Sequence, residues 1–247
     1  MNRSDGARLG DDAAETAANA RRRLVVGAVA LVVAIVAIVA WGWLVRTVVI
    51  PEPVQLFAAY LVVWIPLAIA VVVAVRRHGS GSFVHDLGLR FRWIDLLWGF
   101  GVGCLVRGVS AVIETAVWGR MSGSGVAFGV DPAWAWFTLL VAPVLIGPLI
   151  EEVFFRGLTQ RAVTDRSRAA SARPRTAAAI GIVATALVFA LLHLLEATSP
   201  GTAVVLELSS FTVGLGCGIL AALTGRIGGA IIAHAVSNGL LVLLVVS

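Results

Sequence analysis

LLVAPVLIGPLIEEVFFRG, residues 139–157, is the stretch that constrains the fold most: twelve uncharged residues lead into Glu151, Glu152 and Arg156. An apolar run of this kind is expected inside a lipid bilayer. An ionisable side chain at the centre of a membrane helix costs about 2.5–3.5 kcal/mol on insertion scales. Three charges within six residues therefore need a physical reason, and they indicate a site for chemistry or for ion passage.

The composition is that of an integral membrane protein. Of 247 residues, 59% are hydrophobic and 13% are charged, and the mean hydropathy is +0.96. Lipid offers the backbone no hydrogen-bond partners, so the spans should all be α-helices. The sequence predicts an all-α, polytopic transmembrane bundle of about seven spans, at residues 24–45, 54–75, 94–118, 133–160, 177–195, 204–224 and 228–246.

The arginines predict how the chain is oriented in the membrane. There is no lysine, and with residues 1–23 inside, sixteen of the 19 basic residues fall on that side of the bundle or in loops facing it. Arg46 and Arg120 fall on the opposite side, and Arg107 lies within a span. By the positive-inside rule we expect a multi-pass protein of the cell membrane with a cytoplasmic N-terminus and an outer C-terminus.

Three regions are expected along the chain. Residues 1–23 are polar and alanine-rich and are predicted to be a disordered cytoplasmic tail. Residues 24–86 hold two transmembrane helices and a cytoplasmic connection, and residues 87–247 hold the remaining spans and every polar motif. The basic loops favour contact with anionic membrane lipids rather than nucleic acid. The oligomeric state stays open, because glycine-rich helix faces can pack within one chain or between two.

The EEVFFR motif separates two glutamates by function. Glu152 and Arg156 are spaced i,i+4, which lets them pair on one helix face. Glu151 is rotated by about 100° from Glu152 and points elsewhere, where it is free to act as a base. The alternative is that all three charges form one structural ion-pair cluster that binds helices together.

Two later motifs add polar groups to apolar helices. FALLH places Phe189 and His193 on one face, and HAVSN does the same for His234 and Asn238. A single histidine of this kind is more often a satisfied core residue than a catalyst. Two polar groups on one stripe must nevertheless face protein or a water-filled cavity, because lipid would leave both unsatisfied. We therefore expect a polar intramembrane cavity.

The depth of each motif sets a condition on the fourth span. If that helix ended near Arg156, Glu151 would lie near the cytoplasmic surface, far from His193 on the antiparallel fifth span. If it continues to about Asp165, Glu151 lies about 21 Å from that surface and faces His193 at mid-membrane. The sequence therefore predicts a long or tilted fourth helix.

The order EExxxR, FxxxH and HxxxN, on three separate apolar helices, resembles the CPBP family of intramembrane proteases. This family is also called the Abi or CAAX-protease family and includes the type II CAAX prenyl endopeptidase. The resemblance covers roughly residues 87–244, and EEVFFRG is its most specific part.

The resemblance implies a role for each motif residue. Glu151 and His193 would activate a water molecule, and His234 and Asn238 would stabilise the oxyanion of the tetrahedral intermediate. The second glutamate and the arginine of EEVFFRG would support that site. These roles agree with general chemistry, because a positioned carboxylate is a competent base and preorganised donors stabilise a developing oxyanion.

A metal requirement stays open. One glutamate and two histidines could form a catalytic zinc site with a bound water, so zinc is the one cofactor suggested. No HExxH motif is present, and the resemblance also permits a glutamate mechanism without a metal.

In the third span, Arg107 and Glu114 are seven residues apart and are expected to be too distant for an intimate pair. Arg107 is expected to form an ion pair with a carboxylate of the fourth span instead.

The predicted function is intramembrane endopeptidase activity. The substrate would be a membrane-associated protein or peptide, with or without a prenyl group. One alternative is a non-proteolytic immunity or scaffolding protein on the same fold. Another is an ion-coupled transporter, which also places charges at mid-membrane, although internal repeats typical of transporters are not evident in the sequence.

Overall fold

The computed structural model describes residues 3–121, 134 and 136–246. All regular secondary structure in this part of the chain is helical. We number the helices in chain order. They are α1 (Arg3–Thr47), α2 (Glu52–His78), α3 (Phe83–Leu87), α4 (Trp93–Trp118), α5 (Trp136–Ala169), α6 (Pro174–His193), α7 (Pro200–Thr224) and α8 (Gly228–Val246). A short 3-10 turn, Leu194–Glu196, follows α6.

The lengths of these helices confirm the polytopic bundle. Within the described residues, α1, α2, α4, α5, α6 and α7 are long and apolar enough to cross a membrane, and α8 contributes a shorter apolar helix, Gly228–Leu244. This agrees with about seven spans. The short helix α3 lies between the second and third of them.

The fourth span is long, as the depth of its glutamates required. α5 runs from Trp136 to Ala169, and the loop expected after residue 160 is helical as far as Ala169. Two stretches of π-helix, Trp136–Ile146 and Val153–Gln160, flank one α-helical turn, Gly147–Glu152, that carries both glutamates. π-helical turns often mark functional sites. Residues 133 and 135 of the predicted span lie outside the described residues.

The N-terminal segment, predicted to be a disordered tail, is helical in the residues that the structure describes. Residues 3–23 continue α1 without a break, and residues 1–2 lie outside the description. Alanine is the best helix former, and a segment joined to a transmembrane helix does not need its own helix nucleus. Ala20 is buried, and Arg23 Nε donates to the carbonyl oxygen of His78 at 2.8 Å. The last residue of the predicted tail therefore contacts the end of α2.

The site is held by close packing of α5, α6 and α7. Phe154 and Phe155 of α5 are fully enclosed in the core. Gly214 of α7 lies against Ala186 of α6 so closely that a Cβ on the glycine would be 2.9 Å from the Ala186 Cα. This close approach requires glycine, and it places the Gly214 carbonyl within reach of Arg156 on α5.

Candidate active site

Glu152 and Arg156 form an ion pair inside the bundle, as their spacing predicted. Glu152 Oε1 lies 2.9 Å from an Arg156 guanidinium nitrogen, and the two side chains are 0% and 1% exposed. Arg156 also donates to the carbonyl oxygen of Gly214 at 3.3 Å. Its guanidinium carbon lies 4.8 Å from the ring centre of Phe189, a cation–π contact. Glu152 is thus a buried carboxylate with a fixed cationic partner.

His234 extends this ion pair towards Glu151. Its Nδ1 lies 2.8 Å from Glu152 Oε1, and its Nε2 lies 3.8 Å from Glu151 Oε2. A carboxylate paired with arginine is ionised and can only accept hydrogen bonds, so Nδ1 is the donor in this contact. Glu152 therefore orients the His234 ring and directs its second nitrogen at Glu151.

The Nδ1 atom of His193 has a different partner from the Nδ1 atom of His234. Its Nδ1 lies 2.8 Å from the backbone carbonyl oxygen of Phe189, one turn earlier on α6. A carbonyl only accepts, so Nδ1 carries the proton and Nε2 of the neutral ring has a free lone pair. The Phe189 ring lies 4.5 Å from the His193 ring and 5.6 Å from the His234 ring. This aromatic side chain fixes both histidines, and its place in FALLH was the signal for it.

Asn238 lies one turn after His234 on α8 and binds the backbone of α5. Its Nδ2 donates to the carbonyl oxygen of Pro143 at 2.8 Å. In a π-helix a carbonyl accepts from the N–H five residues later, and that residue here is Pro148, which has no N–H. The asparagine supplies the missing donor. One of its two amide hydrogens remains for another acceptor.

A cavity of about 650 Å³ joins these groups. Glu151, His193, His234 and Asn238 all line it, and so do apolar side chains of α1, α2 and α7. The Glu151 side chain is 22% exposed, in contrast to the enclosed Glu152. The volume lies within the range of small-molecule pockets. The structure thus brings the three motifs together and separates the two glutamates as their helical spacing predicted.

The expectations for Arg107 and Glu114 are wrong. Arg107 does not reach for a carboxylate of α5 but donates to Glu114 Oε1 at 2.5 Å, and both side chains are at least nine-tenths buried. Seven residues are two helical turns, or about 10.5 Å of rise. The two side chains cover that distance because both extend along the helix axis, towards each other. Both residues line the cavity.

The cavity contains further polar groups that sequence reasoning did not select. Glu196 lines it from the turn after α6, and Tyr60 lines it from α2. Glu196 follows His193 by three residues, so shared helical spacing was an available signal for it. Tyr60 belongs to none of the sequence motifs. Its hydroxyl donates to the Thr138 carbonyl oxygen at 3.1 Å. Its place in the cavity depends on how α2 packs against α5.

The residues of the site do not fit a metal ion. Among the described residues, no three histidine, cysteine, aspartate or glutamate side chains are arranged to hold one. Glu152 is also unavailable as a ligand, because it is paired with Arg156. We therefore derive the chemistry of the site without a metal.

These features define a polytopic membrane protein with a carboxylate and histidine site inside a helical bundle. The family model described as Type II CAAX prenyl endopeptidase Rce1-like matches residues 132–240. This match confirms the resemblance to the CPBP family: residues 132–240 are similar to an Rce1-like domain, and that family points to an intramembrane protease. All of the predicted site residues lie inside the matched range. Searches of curated proteins and of solved structures returned no match.

Proposed function

We propose that this protein is an intramembrane endopeptidase that hydrolyses a peptide bond of a membrane-associated protein or peptide. One observation carries the proposal. Of two adjacent glutamates, Glu152 is committed to an ion pair, whereas Glu151 faces a cavity that His193 and His234 also line. A structural ion-pair cluster needs no second carboxylate exposed to a cavity. A hydrolase needs a base there.

In the proposed reaction, water enters the cavity and binds between Glu151 and His193. The free Nε2 of His193 accepts a hydrogen bond and orients the water, and Glu151 removes a proton from it. The resulting hydroxide forms a bond to the carbonyl carbon of the substrate. The tetrahedral intermediate then collapses, the C–N bond breaks, and Glu151 returns its proton to the leaving amine.

We assign the stabilisation of the oxyanion to His234 and Asn238. Because Nδ1 of His234 already donates to Glu152, its Nε2 can donate only when the ring is a doubly protonated imidazolium. The His234 ring lies between the carboxylates of Glu152 and Glu151. The remaining amide hydrogen of Asn238 is the second donor. Each such donor is typically worth about 2.7–4 kcal/mol of transition-state stabilisation.

The proposal is tested with purified protein in detergent. The parent and Glu151→Gln are incubated with a peptide library that includes farnesylated C-terminal peptides, and products are identified by mass spectrometry. Glu52→Gln is the matched control, because Glu52 is an exposed glutamate at the start of α2. We expect the parent and Glu52→Gln to produce the same cuts and Glu151→Gln to produce none.

Equal cutting by the parent and Glu151→Gln would remove Glu151 from the chemistry. No cutting by any of the three proteins would instead favour the alternative of a non-proteolytic immunity or scaffolding protein. Uncoupler-sensitive ion flux in liposomes would favour a transporter.

A further inference from the structure

Arginine side chains tie several helices together at one end of the bundle. Arg23 of α1 donates to the carbonyl of His78, the last residue of α2, at 2.8 Å. Arg161 of α5 donates to the carbonyl of Gly225, which follows the last residue of α7, at 2.7 Å. Gly27 of α1 also lies beside Thr159 of α5. The ends of α2 and α7 therefore lie at a similar level, near residue 23 of α1 and residue 161 of α5.

The start of α4 lies at this level too. Arg226, between α7 and α8, forms an ion pair with Asp95 in the first turn of α4. We call this face, defined by Arg23, Arg161 and Arg226, the arginine end. Most of the remaining arginines are close to it in sequence, in the first half of α1, at the end of α2, before α4 and on either side of the turn from α5 to α6.

The opposite end has few basic residues. Arg46 lies in the last turn of α1, and Arg120 follows α4. Loops rich in arginine or lysine stay on the cytoplasmic side of a membrane. The arginine end is therefore the cytoplasmic one.

The cavity lies in the half of the bundle away from the arginine end. On α2 it is lined between residues 56 and 67, whereas the arginine end of that helix is His78. On α4 it is lined between residues 107 and 118, which begins about 20 Å above the first turn of the helix. On α7 it is lined between residues 205 and 213, the half remote from Gly225. Three helices thus agree on its position.

Packed side chains fill the space between the site and the arginine end. Phe154, Leu158, Cys217, Ile227 and Ala230 are each no more than 2% exposed. They belong to one hydrophobic cluster contributed by α5, α7, α8 and the turn before α8. Water or a peptide from the cytoplasm would have to displace this core to reach Glu151.

We propose that the catalytic cavity opens to the extracytoplasmic side of the membrane and receives its peptide from there. The substrate class is then a polypeptide segment displayed on the outer face, such as a secreted or outer-leaflet-anchored peptide. A lipid-anchored protein on the cytoplasmic leaflet would meet the closed end. The orientation of the cavity stands by itself, whereas the substrate class rests on the proposed proteolytic function.

Cysteine labelling in intact cells tests the orientation. The chain has two cysteines, the half-buried Cys104 and the buried Cys217, so the parent sets the background. Two matched variants add one thiol each, Ala59→Cys in the cavity and Ala170→Cys at the exposed end of α5. A charged, membrane-impermeant maleimide is applied before and after permeabilisation.

We expect Ala59→Cys to be labelled in intact cells at several times the parent level, and Ala170→Cys only after permeabilisation. The reverse pattern would overturn the proposal. Absence of labelling of Ala59→Cys even after permeabilisation would also overturn it, because the cavity would then be closed to water. Neither readout depends on proteolysis.

A second measurement tests the substrate side. One cleavable sequence found with the peptide library is fused to a membrane anchor so that it faces either the cytoplasm or the exterior, and both reporters are expressed with the parent or with Glu151→Gln. We expect only the exterior reporter to be cut, and only by the parent. Cutting of the cytoplasmic reporter would overturn the proposed side. If neither reporter is cut while labelling follows the expected pattern, the protease proposal fails and the orientation of the cavity stands.

Discussion

The Nδ1 atom of His234 lies 2.8 Å from Oε1 of Glu152. The same carboxylate is 2.9 Å from Arg156, so one buried oxygen orients a histidine and neutralises an arginine. The neighbouring Glu151 has no such task and faces the cavity. Adjacent residues of the same type thus have different surroundings, and substitution should affect them differently.

Glu152→Gln should destabilise the fold much more than Glu151→Gln. Loss of the Glu152 charge leaves Arg156 buried and uncompensated, which typically costs about 3–5 kcal/mol. For a chain of this size, that corresponds to a fall of roughly 10 °C in the unfolding midpoint. Glu151→Gln should shift the midpoint much less, because this side chain faces the cavity, and it should abolish cleavage. Thermal unfolding in detergent measures the midpoints of both variants. Equal falls in the midpoint would contradict the different roles of the two glutamates.

Asn238→Ala should lower kcat with little change in KM. The substitution removes one proposed donor to the oxyanion, which typically lowers kcat by about 10²–10³-fold. It also leaves the Pro143 carbonyl without its side-chain donor. Asn19→Ala, in the part of α1 near the arginine end, is the control for the same substitution. A rise in KM at unchanged kcat would indicate that Asn238 binds substrate and not the oxyanion.

Cleavage should survive exhaustive chelation. The described residues offer no arrangement of three ligands for a metal ion, and each proposed proton transfer uses a side chain of the protein. Activity is compared in buffer, after dialysis against a zinc chelator, and after addition of zinc back. Loss of activity that zinc alone restores would show that the proposed mechanism is wrong.

The Arg107 and Glu114 pair should be replaceable only as a unit. Glu114→Gln leaves a buried arginine without its charge partner and should lower the unfolding midpoint in detergent. The double variant Arg107→Met, Glu114→Leu fills similar volume without charge and should recover most of the loss, since apolar replacements of buried pairs are often neutral or stabilising. A double variant as unstable as the sum of the two single ones would indicate that the two residues do not act together.

Local spacing was sufficient to predict part of the site. The i,i+4 relation of Glu152 and Arg156 gave their ion pair, because one helical turn brings such side chains together whatever surrounds them. The depth argument likewise predicted that α5 continues beyond Arg156, since Glu151 and His193 could share a level in the membrane only if it did. Both predictions depend on helix geometry alone.

Spacing failed where long side chains or helix ends were involved. Arg107 and Glu114 bridge two turns because each side chain can extend along the axis, which a rule based on Cα positions does not capture. The tail became helical because it continues α1 and is attached to α2 through Arg23, although its composition alone indicated disorder.

The sequence by itself determined the helical bundle, its spans and the polar motifs to which we assign the chemistry, because hydrophobicity and helical period are local properties. Only the tertiary structure decided which nitrogen of each histidine is occupied, that Asn238 completes the backbone at Pro143, and in which half of the bundle the cavity lies. These depend on contacts between helices far apart in the chain. Their geometry is set by close packing, such as that of Gly214 against Ala186, which no single segment specifies.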